Sequence, residues 1–344
     1  MKLFPTLKKA VLALSITATA TALLAPHLHA AEERNYLLAT ASTGGTYYPV
    51  GVALSTLTKV KLQPKQKINL SAINSAGSGE NVKLLRENEA QFAILQGLYG
   101  KYAWEGTGPL TNDGPQRELR AVTMLWQNVE HFVIEKEYAK TGTITDMMGL
   151  KGQSMAMGKK NSGTLGSNKT LLGNLGMNIE SDLKLMHAGY GPSATALQDG
   201  KVSGMGAPGG VPLGALINAF SKKGSDLTIL EFTKSQLKAA DGGMNLWTPY
   251  TIKAGTYPGL TEDIQTIAQP NFLAVRADID EEAVYLITKT MYENLPFLNS
   301  IHKATKAMSI EKALAGLPMP LHPGAERYFR EVGVKIPKAL VAQR

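Results

Sequence analysis

The chain has 344 residues, of which 44% are hydrophobic and 19% charged, with a formal net charge of +8 and no cysteine. That length buries a large core and sets a prior of about two domains, and the composition is that of an ordinary globular protein. The missing cysteines exclude disulfides and thiolate metal sites, and the scattered Lys and Arg residues, with no basic run or aromatic ladder, argue against nucleic acid as a partner.

Lys2, Lys8 and Lys9 precede the uncharged run from Val11 to Leu24, and small residues follow in Ala25-Pro-His-Leu-His-Ala-Ala31. This order predicts a secretory signal peptide over residues 1–30, cleaved near Ala30 or Ala31, and so a periplasmic location. Cleavage removes three lysines and no acid, lowering the net charge from +8 to +5. No later apolar run is long enough to span a bilayer.

The mature chain opens with a predicted strand, Tyr36 to Thr40. A helix follows in which Val50, Leu54 and Leu57 share one face. Pro49 suits the first helical turn, where its missing N–H is not needed. Between them lies Ser42-Thr-Gly-Gly-Thr-Tyr-Tyr48, a strand-to-helix turn with paired glycines and hydroxyls. Gly44 and Gly45 allow close backbone approach to a ligand, and the helix start supplies unpaired N–H groups and a partial positive charge. A second such turn, Asn74 to Asn81, joins the alternating strand Lys67–Ile73 to a helix with Val82, Leu84 and Leu85. There Ser78 is the expected N-cap, and Glu80 suits the dipole. Gln91 to Leu95 reads as a strand ending at Gln96, and Lys101 to Pro115 as a loop.

Further strands are expected at Leu119–Leu125 and His131–Ile134. A third polar turn, Gly158 to Thr164, follows Ser154–Met157 and precedes a helix carrying Leu165, Leu172 and Leu175. Ala194 to Leu197 reads as helical. Val202 begins a strand that empties into Gly204-Met-Gly-Ala-Pro-Gly-Gly210, and Pro212 starts a helix with Leu213, Leu216, Ile217 and Phe220, a fourth turn of the same kind. Strands follow at Leu227–Phe232 and Asn271–Val275, then a helix from Asp280 to Leu295 capped by Asp280. The last helices are broken at Pro318, Pro320 and Pro323. Alternating strands and helices give α/β architecture with largely parallel sheets, whose ligands sit beyond the carboxyl ends of strands. Two lobes with two polar turns each, facing one cleft, are the simplest arrangement.

The catalytic signatures are missing. Gly44-Gly45 lacks the ending of a P-loop, and there is no G-x-S-x-G elbow. His131, His187, His302 and His322 are not at metal-ligand spacing and read as structural. Carboxylates near the glycine turns form no acid/base pair. Neither an enzyme nor a metal or cofactor is therefore expected. Lys159 and Lys160 could pair with a ligand carboxylate or remain solvated, and Gln96 is a ligand candidate at a strand end.

Several segments together resemble the TAXI family, the solute receptors of TRAP transporters. They are Ala41–Gly51, Ser75–Leu85, Ala103–Gly108, Asn161–Thr164, Leu197–Val202, Gly206–Gly209, Ala254–Gly259 and Pro320–Tyr328, in family order over nearly the whole mature chain. The resemblance implies a type II periplasmic binding fold, two α/β lobes joined by two crossing strands, that closes on its ligand. It also implies a monomer that delivers a small carboxylate, such as glutamate or 2-oxoglutarate, to TRAP membrane subunits. On this basis Ser42, Thr43, Gly44, Gly45, Thr46 and Tyr47 form the first-lobe cradle, extended by Ser75, Gly77, Ser78 and Asn81. The second lobe supplies Ser162, Gly163 and Thr164, with Gly206, Ala207 and Pro208 nearby. The family often has Arg after Ser-Gly-Thr; this chain has Leu165. Crossings near Leu125 and Ala274 give lobe 1 as 31–125 plus 274–344 and lobe 2 as 126–273, with His322 stabilising the C-terminal segment. The alternatives are a periplasmic sensor input protein with the same site, and an enzyme using the cleft.

Overall fold

The computed structural model describes residues 32–342, so the expected signal peptide lies outside the described residues. The first half of the chain builds a sheet from βα units. Strand β1 (Arg34–Ala39) leads to α1 (Tyr47–Lys61) and the short α2 (Gln63–Gln66). Strand β2 (Ile68–Ile73) leads to α3 (Ser78–Arg86), β3 (Phe92–Gln96) to α4 (Gly97–Glu105), and β4 (Leu119–Val129) then carries the chain toward the second sheet. β1 pairs in parallel with β2 and β3. The predicted face of α1 is the buried one, Val50, Leu54 and Leu57 being 4% exposed or less.

The middle of the chain builds a second sheet. It comprises β5 (Phe132–Glu135), β6 (Ser154–Ala156), α5 (Gly163–Asn174), α6 (Ile179–Asp182), β7 (Lys184–Leu185), α7 (Tyr190–Gln198), β8 (Gly204–Gly206), α8 (Gly214–Lys223), β9 (Leu227–Ile229) and α9 (Lys234–Asp241). Its strand order is β7-β6-β8-β5-β9, with β6 parallel to β7 and β8. The chain returns through β10 (Thr248–Ile252) and the long β11 (Ile264–Arg276) to the first sheet, ordered β10-β11-β3-β1-β2, with β4 paired to β11. It ends in α10 (Glu281–Glu293), α11 (Leu295–Ile301) and α12 (Pro323–Glu331). The expected crossing points, Leu125 and Ala274, fall within β4 and β11, which pair antiparallel from Leu119↔Arg276 to Val129↔Ala268.

Three apolar clusters fill this frame. One lies under α1, α10 and α12 on the first sheet, built around Phe92, Trp126 and Phe272. The other two cover the second sheet and include Phe220 and Tyr257 in one, Phe132 and Trp247 in the other. Residues 33–342 form one compact unit. Among the described residues no helix is long and apolar enough to cross a membrane.

Four local expectations are corrected. Ser78 is not the cap of α3: Gly77 is, at φ +116, while Ser78 Oγ accepts the Gln96 N–H at 3.1 Å. A glycine enters this left-handed region without steric penalty. The loop expected from Lys101 begins only at Gly106, because α4 runs to Glu105 and Gly106 closes it at φ +68. α8 starts at Gly214, two residues after Pro212, and Pro323 opens α12 instead of breaking it. Proline is pre-organised for a first helical turn. His322 Nδ1 caps α12 by accepting the Gly324 N–H.

Candidate functional site

The carboxyl ends of β1, β2 and β3 in one sheet and of β6, β7 and β8 in the other feed one cavity. The turn after β1 brings Ala41, Ser42, Gly45, Thr46 and Tyr47 to its wall, and the turn after β2 brings Ala76, Gly77 and Ser78. Gln96 comes from the end of β3 and Asn128 from β4. The second half supplies Lys159, Ser162, Gly163 and Thr164 after β6, Ala188, Gly189 and Tyr190 after β7, and Pro208 and Gly209 after β8. Space for the centres of water-sized molecules is about 40 Å³, enough for a few waters at roughly 10–15 Å³ each. The site is therefore compact.

Five helices begin at this wall. Their cap and first residues, Thr46 and Tyr47, Gly77 and Ser78, Gln96, Ser162 and Gly163, and Gly189 and Tyr190, all line it. Helix starts carry unpaired N–H groups and a partial positive charge. The amides of Gly163 and Thr164 take no acceptor among the described residues. Lys159 is the one charged side chain in the lining, and no carboxylate reaches it. The helix starts and Lys159 give the wall a positive bias.

The two halves touch around it. Glu80 N–H donates to Asn161 O at 2.9 Å, and Gln96 Nε2 to Gly163 O at 2.8 Å. Asn128 Nδ2 donates to Gln96 Oε1 at 3.2 Å, and Gly210 N–H donates to Thr46 Oγ1 at 3.0 Å. Glycine makes this approach possible: a Cβ on Gly79 would lie 2.4 Å from Asn161 O, and one on Gly163 would lie 2.9 Å from the Gln96 amide.

Not every residue expected at the site lines this cavity. Ser42, Gly45, Thr46, Tyr47, Gly77, Ser78, Gln96, Ser162, Gly163, Thr164 and Pro208 do. Thr43 and Gly44 instead border an outer groove with the start of α8 and His302. Gly44 packs on the start of α7, where its Cβ would be 2.9 Å from Gly191 N. Ser75 and Asn81 lie behind the wall. Asn81 Nδ2 donates to Thr40 O and Ile94 O at 2.8 and 2.9 Å, and Ser75 Oγ accepts the Gly77 N–H at 3.0 Å. Ala207 is buried, its N–H on His131 O. Lys160 lies in a separate groove with Tyr99, Lys169 and His187. The fourth opening thus belongs to α7 and not to α8.

Sequence reasoning passed over Gly189, Tyr190 and Asn128. A signal existed for Tyr190. In both α1 and α7 a tyrosine is the first residue and a proline the third: Tyr47 and Pro49, Tyr190 and Pro192. Burial holds both phenols above the usual tyrosine range. Tyr47 donates to Asn271 Oδ1, and its ring meets Trp126 edge-on at 5.8 Å. Tyr190 OH donates to Pro208 O at 2.6 Å and lies 2.6 Å from Thr164 Oγ1.

Beneath this wall sits Glu130, fully buried. One carboxylate oxygen accepts the Trp247 indole N–H at 2.9 Å and faces Gln269 Nε2 at 3.5 Å; the other has no hydrogen-bond partner. Burial pushes its pKa up to about 7. Burial likewise lowers that of the adjacent His131 to about 4; its ring bonds Val129 O and the Tyr257 hydroxyl, each at 2.9 Å. Among the described residues no cluster of His, Asp and Glu could hold a metal ion.

The architecture is similar to solved structures. The periplasmic binding protein BugD matches at a TM-score of 0.51 and 12% identity, over 87% of this chain and 95% of that one. A protein of Bordetella bronchiseptica RB50 matches at 0.51 and 12%, over 89% and 91%. MatC from Rhodopseudomonas palustris, solved with bound malate, matches at 0.49 and 13%, over 87% and 97%. The fold is that of periplasmic binding proteins with two α/β lobes. Residues 38–333, most of the chain, match the NMT1-like family, and the chain belongs to that family.

Proposed function

We propose that this protein is an exported receptor that captures a small organic anion in the periplasm and delivers it to the membrane subunits of a TRAP-type transporter. The lobes we assign are residues 31–125 with 274–344, and 126–273. The observation that carries the reading is the five-helix cradle with Lys159 and no acidic side chain in its wall. Each helix start favours an anion by about 0.3–1 kcal/mol when exposed and up to about 2 kcal/mol when partly buried. The low local dielectric of a partly buried site strengthens each charged hydrogen bond.

The same wall supports binding over catalysis. Ser162 Oγ caps α5, accepting the Leu165 N–H at 3.0 Å and donating to Lys159 O at 2.7 Å. Ser78 Oγ accepts the Gln96 N–H. A nucleophile needs a base in reach, and no His, Asp or Glu lines the cavity. Within the glutamate- and 2-oxoglutarate-like class, the missing carboxylate favours the oxo acid, since an ammonium buried there would lack an anionic partner.

Isothermal titration of the ligand-stripped mature protein tests the reading. Heat is expected with 2-oxoglutarate or another dicarboxylate of four to six carbons. Silence with all of these and with glutamate removes the ligand class.

A further inference from the structure

We propose that Tyr190 determines how long a carbon skeleton the cavity accepts, a role that rests on the anion-receptor reading above. Most of the wall is backbone or small side chains, and five larger ones remain: Tyr47, Gln96, Asn128, Lys159 and Tyr190. Tyr47 is only 9% exposed and tied to Asn271. Gln96 and Asn128 are bonded to each other, and Gln96 also to Gly163 O. Lys159 is a cation on a flexible stem. Tyr190 alone adds a rigid apolar surface.

Its rigidity has a visible cause. The phenol gives its proton to Pro208 O and lies against Thr164 Oγ1, both at 2.6 Å, so the hydroxyl is anchored on α5 and on the turn after β8. A phenol carries one donor, and this one is spent within the protein. What remains for a ligand is the ring. Its edge packs on the first lobe, where a Cβ on Gly45 would sit 3.4 Å from it. A ring held at both ends cannot swing aside for an extra methylene. The anionic ends of the ligand meet the helix starts, and the carbons between them lie on Tyr190.

The test is titration of the ligand-stripped mature protein with succinate, glutarate, adipate and pimelate, for wild type, Tyr190→Phe, Tyr190→Leu and Tyr190→Ala. Wild type is expected to prefer one length and to lose about ten-fold or more per added methylene. Tyr190→Phe keeps the ring and therefore the preferred length. Tyr190→Leu and Tyr190→Ala shift the preference to an acid at least one carbon longer; having both guards against one failing to fold. A uniform loss across the series, with the preferred length unchanged, overturns the proposal. No heat from wild type with any member, with 2-oxoglutarate or with glutamate overturns the anion-receptor reading itself, and the role of Tyr190 with it.

Discussion

Replacing Glu130 by Gln should make the protein's stability respond differently to pH, and the size of the response follows from burial. Glu130 is wholly inaccessible, and no cation pairs with it among the described residues. Its carboxyl is raised from 4.5 to about 7. Below about pH 4.5 the group is protonated in the folded and unfolded chains alike and costs nothing. As pH rises toward 7 the unfolded chain ionises freely while the folded one resists, so stability is lost until about pH 7 and stays lost above it. At 1.36 kcal/mol per pKa unit the loss is about 3 kcal/mol. His131 works in the opposite direction: its pKa, lowered to about 4, gives stability that is present above pH 6.5 and lost as pH falls toward 4. That contribution is common to both proteins and drops out of their difference. Urea unfolding followed by circular dichroism at pH 4.5, 6 and 8 gives the difference directly. Glu130→Gln should gain about 3 kcal/mol on wild type between pH 4.5 and 8, whatever constant offset its buried amide adds. A difference that does not change with pH refutes the account of Glu130 as a buried, unpaired acid.

Two other substitutions probe the cavity. In Gly79→Ala the new methyl would meet Asn161 O, where the Cβ position lies 2.4 Å away, and would displace the Glu80–Asn161 hydrogen bond. We expect the cleft to be held ajar: small-angle scattering should show no compaction with ligand, and titration should show affinity falling ten-fold or more, as about 1.4 kcal/mol implies. Lys159→Gln removes the one charged side chain of the lining. A lost charged hydrogen bond of about 1.5–3 kcal/mol predicts roughly ten- to hundred-fold weaker anion binding, and the weakening of affinity by added salt should flatten with it.

The repeating units of the fold were legible because burial writes itself into spacing. Val50, Leu54 and Leu57 point into the core as their period requires, and the alternation of Lys67–Ile73 is strand β2. Gly44 and Gly45 were legible as a turn but misleading in purpose, since Gly44 is small for the sake of Gly191 on the other half of the chain. A contact between residues about 150 positions apart leaves no periodic trace. The same holds for Asn81, an amide that bonds the backbone just past β1 and within β3 where a ligand contact was expected. Gly189-Tyr-Gly-Pro192 carries two glycines and a proline, which read locally as punctuation, although the proline sits in the first turn of α7. Glu130 gave no signal, since one acid after a hydrophobic run looks like any other surface charge.

The antiparallel ribbon of β4 and β11 belongs to the first sheet, and its pairing is interrupted between Asn271 and Phe272 and again between Leu273 and Ala274. Such irregularities kink a strand locally. Asn271, at the first of them, also receives the hydroxyl of Tyr47, the opening residue of α1. The irregular step of the ribbon is thereby tied by a side-chain bond to the start of the first helix. The ribbon and the first residue of α1 in the cavity wall are thus joined by a direct side-chain bond.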